Sequence, residues 1–197
     1  MIFRRFLKKA IDFLAALIGL ILLAPFFFVI AILIKLDSRG PVFFKQERTG
    51  KNGRTFLIWK FRTMIRNIDG NYALSEKDPR ITKVGSFLRR LTLDEWPQLI
   101  NILKREMSLV GPRPLPVYQT GNELQKKRLK VLPGMISLVD IKGRNLVPWE
   151  ERFKMDSWYI DNWSLGLDFK ILLSVPFVIF SGKGIYGKDG VNKPFQG

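Results

Sequence analysis

The chain has 197 residues, enough for one domain with a modest core. Its residues are 47% hydrophobic, yet the formal net charge is +16 and the isoelectric point is about 10.3. Excess like charge needs an anionic partner, either nucleic acid or a membrane surface, and the apolar content favours the membrane and argues against nucleic acid. The chain has no cysteine and no histidine, which excludes disulfides, thiolate chemistry and every Ser-His or Cys-His mechanism.

The N-terminal segment is long and apolar. Residues 10–34 are interrupted only by Asp12, Gly19 and Pro25, and roughly 20 apolar residues suffice to span a bilayer as a helix. A cleaved signal peptide, a spanning helix and a re-entrant helix are the three alternatives. The apolar run is long for a signal peptide, and residues 35–39 do not resemble a cleavage site.

Basic residues flank this segment on both sides, so a straight spanning helix would violate the positive-inside rule in either direction. They are Arg4, Arg5, Lys8 and Lys9 before it, and Lys35 and Arg39 after it. Pro25 removes a backbone donor near the middle and predicts a kink. We therefore favour a bent helix that enters and leaves on one face, although proline kinks also occur in spanning helices. Each basic residue would contribute about 1 kcal/mol near anionic headgroups.

The rest of the chain alternates short β-rich, polar and helical patterns. Two β-rich runs at 42–48 and 55–62 around a turn at 49–54 predict a hairpin, whereas 65–80 and the proline-rich 111–116 predict loops. Helices are predicted around 86–91, 94–106, 123–131, 149–163 and 169–180. The last is apolar, interrupted by Pro176 and too short to span, so it suits the membrane interface.

Two adjacent acids stand out in this basic chain. Asp94 and Glu95 follow a pair of arginines, and Thr92 and Glu95 have the spacing of a capping box. Acids are also favoured at a helix N-terminus, and Pro97 supports a helix start. From spacing alone, helix capping is the favoured interpretation of both acids.

A catalytic interpretation gains support from the neighbouring cations, Arg89, Arg90, Arg113 and Arg144. Arginine offers planar, multi-donor contacts to phosphates, and adjacent carboxylates suit Mg²⁺. Alternatively, the arginines contact lipid headgroups. The chain lacks a P-loop sequence and any Asp-x-Asp pair, and without His or Cys a carboxylate is the economical nucleophile.

Several short motifs occur in a specific order and spacing. They are Lys-Phe-Arg-Thr-Met at 60–64, Gly-Ser-Phe-Leu-Arg-Arg at 85–90, Asp-Glu-Trp-Pro-Gln-Leu at 94–99, Met-Ser-Leu-Val-Gly-Pro-Arg-Pro-Leu at 107–115, Pro-Gly at 133–134, Gly-Arg-Asn at 143–145, and the residues from Asp156 to Ser164. Together they make the chain resemble the small monotopic phosphoglycosyl transferases of bacteria, also called the bacterial sugar transferase family.

The resemblance implies a ping-pong reaction at the cytoplasmic face of the bacterial inner membrane, as the first membrane step of glycoconjugate assembly. Asp94 would attack the β-phosphorus of a UDP-sugar and release UMP, and undecaprenyl phosphate would then accept the phosphosugar. The implied Mg²⁺ would be held by Asp94 and Glu95. The resemblance also implies phosphate contacts from Lys60, Arg62, Arg89, Arg113 and Arg144, a further active-site acid at Asp156 and a membrane helix break at Pro25.

We therefore expect an α+β fold, mostly helical, with a re-entrant membrane helix, a small β-hairpin and interfacial amphipathic helices. The expected parts are an anchoring helix at 1–39, a catalytic domain at 40–182 and a C-terminal tail at 183–197. Departures from the family pattern include Ala24 before Pro25 in place of serine, the segment 135–140, and Leu129 after Arg128. These departures leave the sugar unassigned. Rival readings are a basic membrane-surface scaffold, a membrane-tethered nucleic-acid binder and a glycosyltransferase that releases UDP.

Overall fold

A computed structural model of the chain describes residues 2–65, 75, 78–119 and 125–187. Within these ranges the fold combines six α-helices with four short strands and several 3₁₀ turns. The helices are α1 (Ile2–Asp37), α2 (Lys83–Arg90), α3 (Leu99–Leu103), α4 (Leu138–Lys142), α5 (Trp149–Asp161) and α6 (Leu165–Ser181), and the strands are β1 (Phe43–Thr49), β2 (Thr55–Phe61), β3 (Ser108–Val110) and β4 (Gly134–Ile136). The expected α+β fold with a long apolar N-terminal helix is confirmed.

Helix α1 has 36 residues and continues through Pro25. At 1.5 Å per residue it is about 54 Å long, more than the roughly 30 Å hydrocarbon core of a bilayer. By length and composition, its part from Phe3 to Asp37 is apolar enough to cross a membrane. Pro25 leaves the carbonyl of Ile21 without its intrahelical donor, but the helix is not interrupted there, so the re-entrant path stays a prediction.

The predicted hairpin is confirmed as an antiparallel pair, β1 with β2, in register from Phe43–Phe61 to Thr49–Thr55. A 3₁₀ turn at Lys51–Gly53 connects the strands, and Asn52 adopts a left-handed φ of 57° there. A second, parallel pair joins β3 to β4 and was not predicted. It brings the two glycine-proline segments of the chain together, because Gly134 N donates to Pro112 O.

One face of α1 packs on the rest of the fold along most of its length. Ala16 lies in a core cluster with Phe56, Ile58, Leu99, Ile102 and Met107, and Ile30 and Ile34 lie in a second cluster with Phe61 and Leu88. A third cluster of Val110, Leu138, Tyr159 and Ile171 joins α4, α5 and α6 to β3. The opposite face of α1 leaves Leu14, Ile18, Ile21, Leu22, Phe28 and Val29 exposed.

Polar contacts fasten both ends of α1 to the same domain. Near the N-terminus, Lys8 Nζ lies 2.6 Å from Asp168 Oδ2, and Ser108 Oγ donates to Asp12 at 2.7 Å. At the other end, Val84 N donates to Asp37 Oδ2 at 2.9 Å. The anchoring helix and the domain therefore form one packed unit, which fixes the domain relative to the membrane segment.

Several helix predictions need correction. The pattern at 94–106 forms a 3₁₀ turn, Leu93–Gln98, followed by the short α3, because Pro97 and the carboxylate contacts described below interrupt a regular helix. The basic helix expected at 123–131 is wrong for residues 125–131, which contain no α-helix and form a 3₁₀ turn at Arg128–Lys130, and its first two residues lie outside the described range. Pro176 lies inside α6 without interrupting it.

The remaining predictions agree with the structure where it describes them. Helices α2 and α5 confirm the predictions at 86–91 and 149–163. The proline-rich 111–115 carries no helix or strand, as expected. Most of the predicted loop at 65–80 and the last ten residues of the predicted tail lie outside the described residues.

Candidate active site

The two acids singled out by sequence lie on the 3₁₀ turn Leu93–Gln98, which packs against β2. Thr92, just before the turn, has a left-handed φ of 56°, and its hydroxyl donates to Leu91 O at 2.7 Å. Thr92 therefore makes no side-chain cap, and the capping-box interpretation of Thr92 and Glu95 is wrong. The Glu95 carboxylate instead binds cations from other parts of the chain, so Glu95 does not cap the turn.

Glu95 is held by two cations from different parts of the chain. Lys60 Nζ on β2 donates to Glu95 Oε1 at 2.7 Å. The Arg113 guanidinium binds both oxygens of the same carboxylate, with Nη1 3.2 Å from Oε2 and Nη2 in close contact with Oε1. Burial by itself would raise the pKa of Glu95, but the charges and hydrogen bonds of Arg113 and Lys60 outweigh it and hold the pKa well below the ordinary value. Glu95 is therefore a fixed anion.

Asp94 has a different environment from its neighbour. It is half-buried, and its carboxylate makes no hydrogen bond or ion pair within the described part of the chain. Burial raises the pKa of Asp94 to about 6, against the opposing charge of Lys60 and with a further rise from Glu95. Opposite environments for adjacent carboxylates commonly separate their chemical roles. Asp94 therefore has a raised pKa and no polar partner within the described residues, in contrast to Glu95.

Further positive charge surrounds this pair. Arg89 acts electrostatically on Asp94 and is oriented by a hydrogen bond from its Nε to Thr63 Oγ1 at 2.8 Å. Burial lowers the pKa of Lys60, and Glu95 opposes that shift. The charge of Glu95 raises the pKa of Arg113. Lys60, Arg89 and Arg113 therefore lie close enough to the two acids to act on them electrostatically, and their contacts to phosphate stay a prediction.

Arg144 completes the group of cations. It lies on the turn after α4, and the charges of Asp140, Arg113 and Glu95 all act on it. Burial lowers its pKa and Asp140 opposes the shift. Its Nη1 is buried and has no hydrogen-bond partner among the described residues, so a donor group is available for an anionic ligand.

Arg62 does not join this group. Its guanidinium donates to Arg39 O at 2.7 Å and to Ser38 O at 2.7 Å, and it is buried at the end of α1. Carbonyls at a helix C-terminus lack intrahelical donors, and Arg62, which directly follows β2, donates to Ile34 O in the last turn of α1 as well as to the two carbonyls just beyond it. The placement gives no support to the predicted phosphate contact of Arg62 and indicates a structural role instead.

Asp156 lies behind the site and not in contact with the acid turn. Its Oδ2 forms a buried ion pair with Arg128 Nε at 2.7 Å, and Arg128 Nη2 donates to Arg113 O at 2.6 Å. Burial raises the pKa of Asp156 to about 6, against the charge of Arg128. Sequence reasoning missed Arg128 and also Asp140, whose Oδ1 lies 3.7 Å from Arg113 Nη1.

The donor set suits a magnesium ion shared with a substrate. Mg²⁺ is usually held by one or two carboxylates, with water and substrate phosphates completing its coordination. Asp94 and Glu95 provide two adjacent carboxylates, of which Asp94 is unpaired among the described residues. In those residues no third Asp or Glu joins them as a ready-made cage. These two carboxylates therefore fit the protein's share of a Mg²⁺ ligand set, and the ion itself stays a prediction.

Comparison with known proteins places this chain in a family. The family model described as bacterial sugar transferase matches residues 3–182. The chain is 41% identical over 184 residues to the uncharacterized sugar transferase EpsL of Bacillus subtilis, covering 91% of this chain and 90% of that protein. It is 40% identical over 202 residues to the exopolysaccharide production protein ExoY of Sinorhizobium fredii, covering 91% and 88%.

A third relative has a more specific name. The chain is 41% identical over 194 residues to the UDP-glucose:undecaprenyl-phosphate glucose-1-phosphate transferase of Escherichia coli K12, covering 92% of this chain and 42% of that protein. A long apolar helix packed on the domain, together with membrane-associated relatives, points to membrane association. The chain belongs to the bacterial sugar transferase family.

Proposed function

We propose that this chain transfers a sugar 1-phosphate from a UDP-sugar to undecaprenyl phosphate and releases UMP. The names of relatives from Escherichia coli and Klebsiella pneumoniae specify UDP-glucose and undecaprenyl phosphate. The observation that carries the proposal is the contrast between Asp94 and Glu95. Lys60 and Arg113 bind the Glu95 carboxylate, whereas the Asp94 carboxylate has no polar partner within the described residues. That contrast supports Asp94 as the attacking group.

The chemistry has two displacements at one phosphorus. A carboxylate oxygen of Asp94 bonds to the β-phosphorus of the UDP-sugar, and the bond from that phosphorus to the bridging oxygen breaks, so that UMP leaves. The phosphosugar is then held as an acyl phosphate. A phosphate oxygen of undecaprenyl phosphate attacks the same phosphorus and Asp94 is released, giving undecaprenyl diphosphate sugar. Covalent catalysis of this kind divides a transfer between two large substrates into two simpler steps.

The cations around Asp94 favour this chemistry. Lys60, Arg89, Arg113 and Arg144 would neutralise charge on the diphosphate, and Arg113 has the planar fork that suits phosphate oxygens. Glu95, fixed by Lys60 and Arg113, would hold Mg²⁺ together with Asp94. Bound there, the ion would supply Lewis-acid stabilisation of the phosphoryl oxygens. The protein side chains orient the donor and keep Asp94 ionised.

We further propose that the domain lies at the cytoplasmic face and that α1 enters and leaves the membrane on that face. Contacts to the same domain from Lys8 at one end and Asp37 at the other support this topology. A straight spanning helix with both contacts would require the same domain to reach both faces of the bilayer, which would bring charged residues of the domain into the hydrocarbon region, where they are costly. The exposed Phe169, Leu173, Phe177 and Phe180 of α6 suit the same interface.

The test uses the full chain in nanodiscs with Mg²⁺, undecaprenyl phosphate and a panel of UDP-sugars. We expect UMP from at least one donor and a lipid-linked diphosphate sugar. Without the lipid, about one equivalent of UMP per enzyme should appear, and the peptide containing Asp94 should gain the mass of the phosphosugar. Release of UDP instead would contradict the proposal and indicate transfer of the sugar alone.

A matched pair of variants separates the nucleophile from general charge effects. Asp94→Asn should abolish both UMP release and the mass gain. Asp161→Asn makes the same chemical change at an exposed acid paired with Lys127, and it should leave both intact. Full activity of Asp94→Asn would refute the assigned nucleophile.

A further inference from the structure

The segment that follows α6 returns to the turn that carries Arg144. Asn145 N donates to Gly184 O at 3.1 Å. Asn145 Nδ2 donates to Ile185 O at 2.7 Å. Two hydrogen bonds thus fasten Gly184 and Ile185, here called the C-terminal clamp, to the residue next to Arg144.

The approach of the two segments is closer than a side chain would allow. Gly184 is buried and has a left-handed φ of 74°. A Cβ atom placed on it would overlap the carbonyl oxygen of Gly143 and would lie 3.0 Å from Arg144 Cβ. Only glycine satisfies both the backbone conformation and the space at this position.

The turn held by the clamp is itself unusual. Arg144 has a φ of 53°, and Gly143 before it has a φ of 145°. A non-glycine residue persists in the left-handed region only where its surroundings hold it there, and such residues often lie at functional sites. The clamp supplies that support, because Gly184 packs against the backbone of Gly143 and bonds the backbone of Asn145.

The strained residue lies within electrostatic range of the acid turn. The charges of Glu95, Arg113 and Asp140 act on Arg144, and its buried Nη1 has no hydrogen-bond partner in the described part of the chain. The Arg144 guanidinium therefore keeps an unpaired N–H donor that can bind an anionic ligand.

We propose that the C-terminal clamp holds Arg144 in the conformation that presents its guanidinium to the diphosphate of the donor. This inference rests on the proposed function, since it names a positioning element for that same site. The family match covers residues 3–182, so Gly184 and Ile185 lie outside the matched range. Gly184, Ile185 and Asn145 are positioning residues that act through Arg144.

Two glycines provide a matched test in the full chain. Gly184→Ala introduces the overlap with Gly143. Gly182→Ala makes the same change at a residue with a similar φ of 62° but with nothing within 4 Å of the added Cβ. We expect Gly184→Ala to lower kcat for UMP release at least tenfold and to speed amide hydrogen exchange in the peptide covering residues 143–147. Gly182→Ala should leave kcat and this exchange near the wild-type values.

A double-mutant cycle distinguishes positioning from general damage. In an Arg144→Ala background, Gly184→Ala should cost little further activity, because the group through which it acts is already gone. An equal loss of activity in both backgrounds would overturn the inference, as would faster exchange with full kcat or identical behaviour of the two glycine variants.

The exchange measurement also separates this inference from the proposed function. If the wild-type chain releases UDP or no nucleotide, the proposed function fails. Unchanged exchange at 143–147 in Gly184→Ala would then overturn the clamp as well, whereas faster exchange would retain it as the support of the Arg144 turn. If the wild type releases UMP and Gly184→Ala matches Gly182→Ala, the function stands and the inference fails.

Discussion

Arg128 lies directly behind Arg113, and its Nη2 donates to the Arg113 carbonyl oxygen at 2.6 Å. Arg128 also forms an ion pair with Asp156, and the side chains of this pair are 8% and 3% exposed. Because the Arg113 guanidinium binds Glu95, a chain of contacts runs from Asp156 inside the domain to the acid turn. The loop that carries Arg113 is therefore held from both sides.

Asp156→Asn should destabilise the protein strongly. Removal of one partner from a buried ion pair leaves an uncompensated charge and typically costs about 3–5 kcal/mol of unfolding free energy. For a chain of this size we expect a Tm lower by roughly 10 °C. Thermal unfolding in detergent, followed by tryptophan fluorescence, measures the shift.

The control for this prediction is Glu151→Gln, the same acid-to-amide change in a pair on the surface. Glu151 and Lys154 are 49% and 70% exposed at their side chains. Exposed pairs contribute little, so this variant should unfold at the wild-type temperature. Equal unfolding temperatures for Asp156→Asn and Glu151→Gln would contradict the importance of the buried pair.

The rate of the first half-reaction should fall as the pH is lowered through about 6. Burial raises the pKa of Asp94 to about 6, and the attacking form is the carboxylate. The ionised fraction is therefore nearly complete at pH 7.5 and falls about tenfold per unit below the pKa. Single-turnover UMP release at subsaturating UDP-sugar and without the lipid, measured from pH 5 to 8, reports this midpoint, which is the pKa of the free enzyme before Mg²⁺ and the donor bind. A rate that is flat down to pH 4.5 would contradict it.

Lys60→Gln should move this midpoint to higher pH. The Lys60 charge lowers the Asp94 pKa, whereas burial and the charge of Glu95 raise it. Removal of Lys60 therefore raises the Asp94 pKa, and the carboxyl group protonates at higher pH. Lys45→Gln is a suitable control, because Lys45 is exposed on β1 and lies over the Trp59 ring. The same pH series should show an unchanged midpoint for Lys45→Gln. A midpoint at lower pH in Lys60→Gln would contradict the stated effect of Lys60 on the Asp94 pKa.

Elements that depend on local patterns were predictable from sequence. The hairpin followed from two β-rich runs around a turn, and α5 followed from apolar spacing. The 3₁₀ turn at Leu93–Gln98 was not predictable, since Thr92 and Glu95 have good capping spacing. Glu95 binds Lys60 and Arg113 instead, and those partners lie 35 and 18 residues away, so tertiary contacts decided the local structure.

The candidate site was predictable in part for the same reason. The motifs identified Asp94 and the cations near it, but Arg62 belongs to a similar motif and instead donates to the end of α1. Nothing in the sequence distinguishes an arginine that binds an anionic ligand from one that donates hydrogen bonds to backbone carbonyls at the end of a helix. The contact between Gly184 and the Arg144 turn was equally hidden, because it joins segments 40 residues apart that have no shared pattern.

Arg113→Lys should lower kcat although it keeps the charge. Arg113 binds both oxygens of Glu95, whereas an ammonium group lacks that planar fork. Loss of one charge-assisted hydrogen bond costs about 1.5–3 kcal/mol, which corresponds to roughly a tenfold to hundredfold lower rate. Steady-state UMP release measures the effect, with Arg105→Lys outside the site as control. Wild-type kcat in Arg113→Lys would show that charge alone suffices.

The topology of α1 can be tested with single cysteines, because the natural chain has none. Arg4→Cys and Arg39→Cys place exposed thiols at the two ends of α1, and Lys154→Cys marks the domain. If α1 enters and leaves on the cytoplasmic face, a membrane-impermeant maleimide should label all three in inside-out vesicles and none in intact spheroplasts. Labelling of Arg4→Cys only in spheroplasts would mean that α1 spans the bilayer. The contacts from Lys8 to Asp168 would then have to break in the membrane, so that outcome would also overturn the packing of α1 described above.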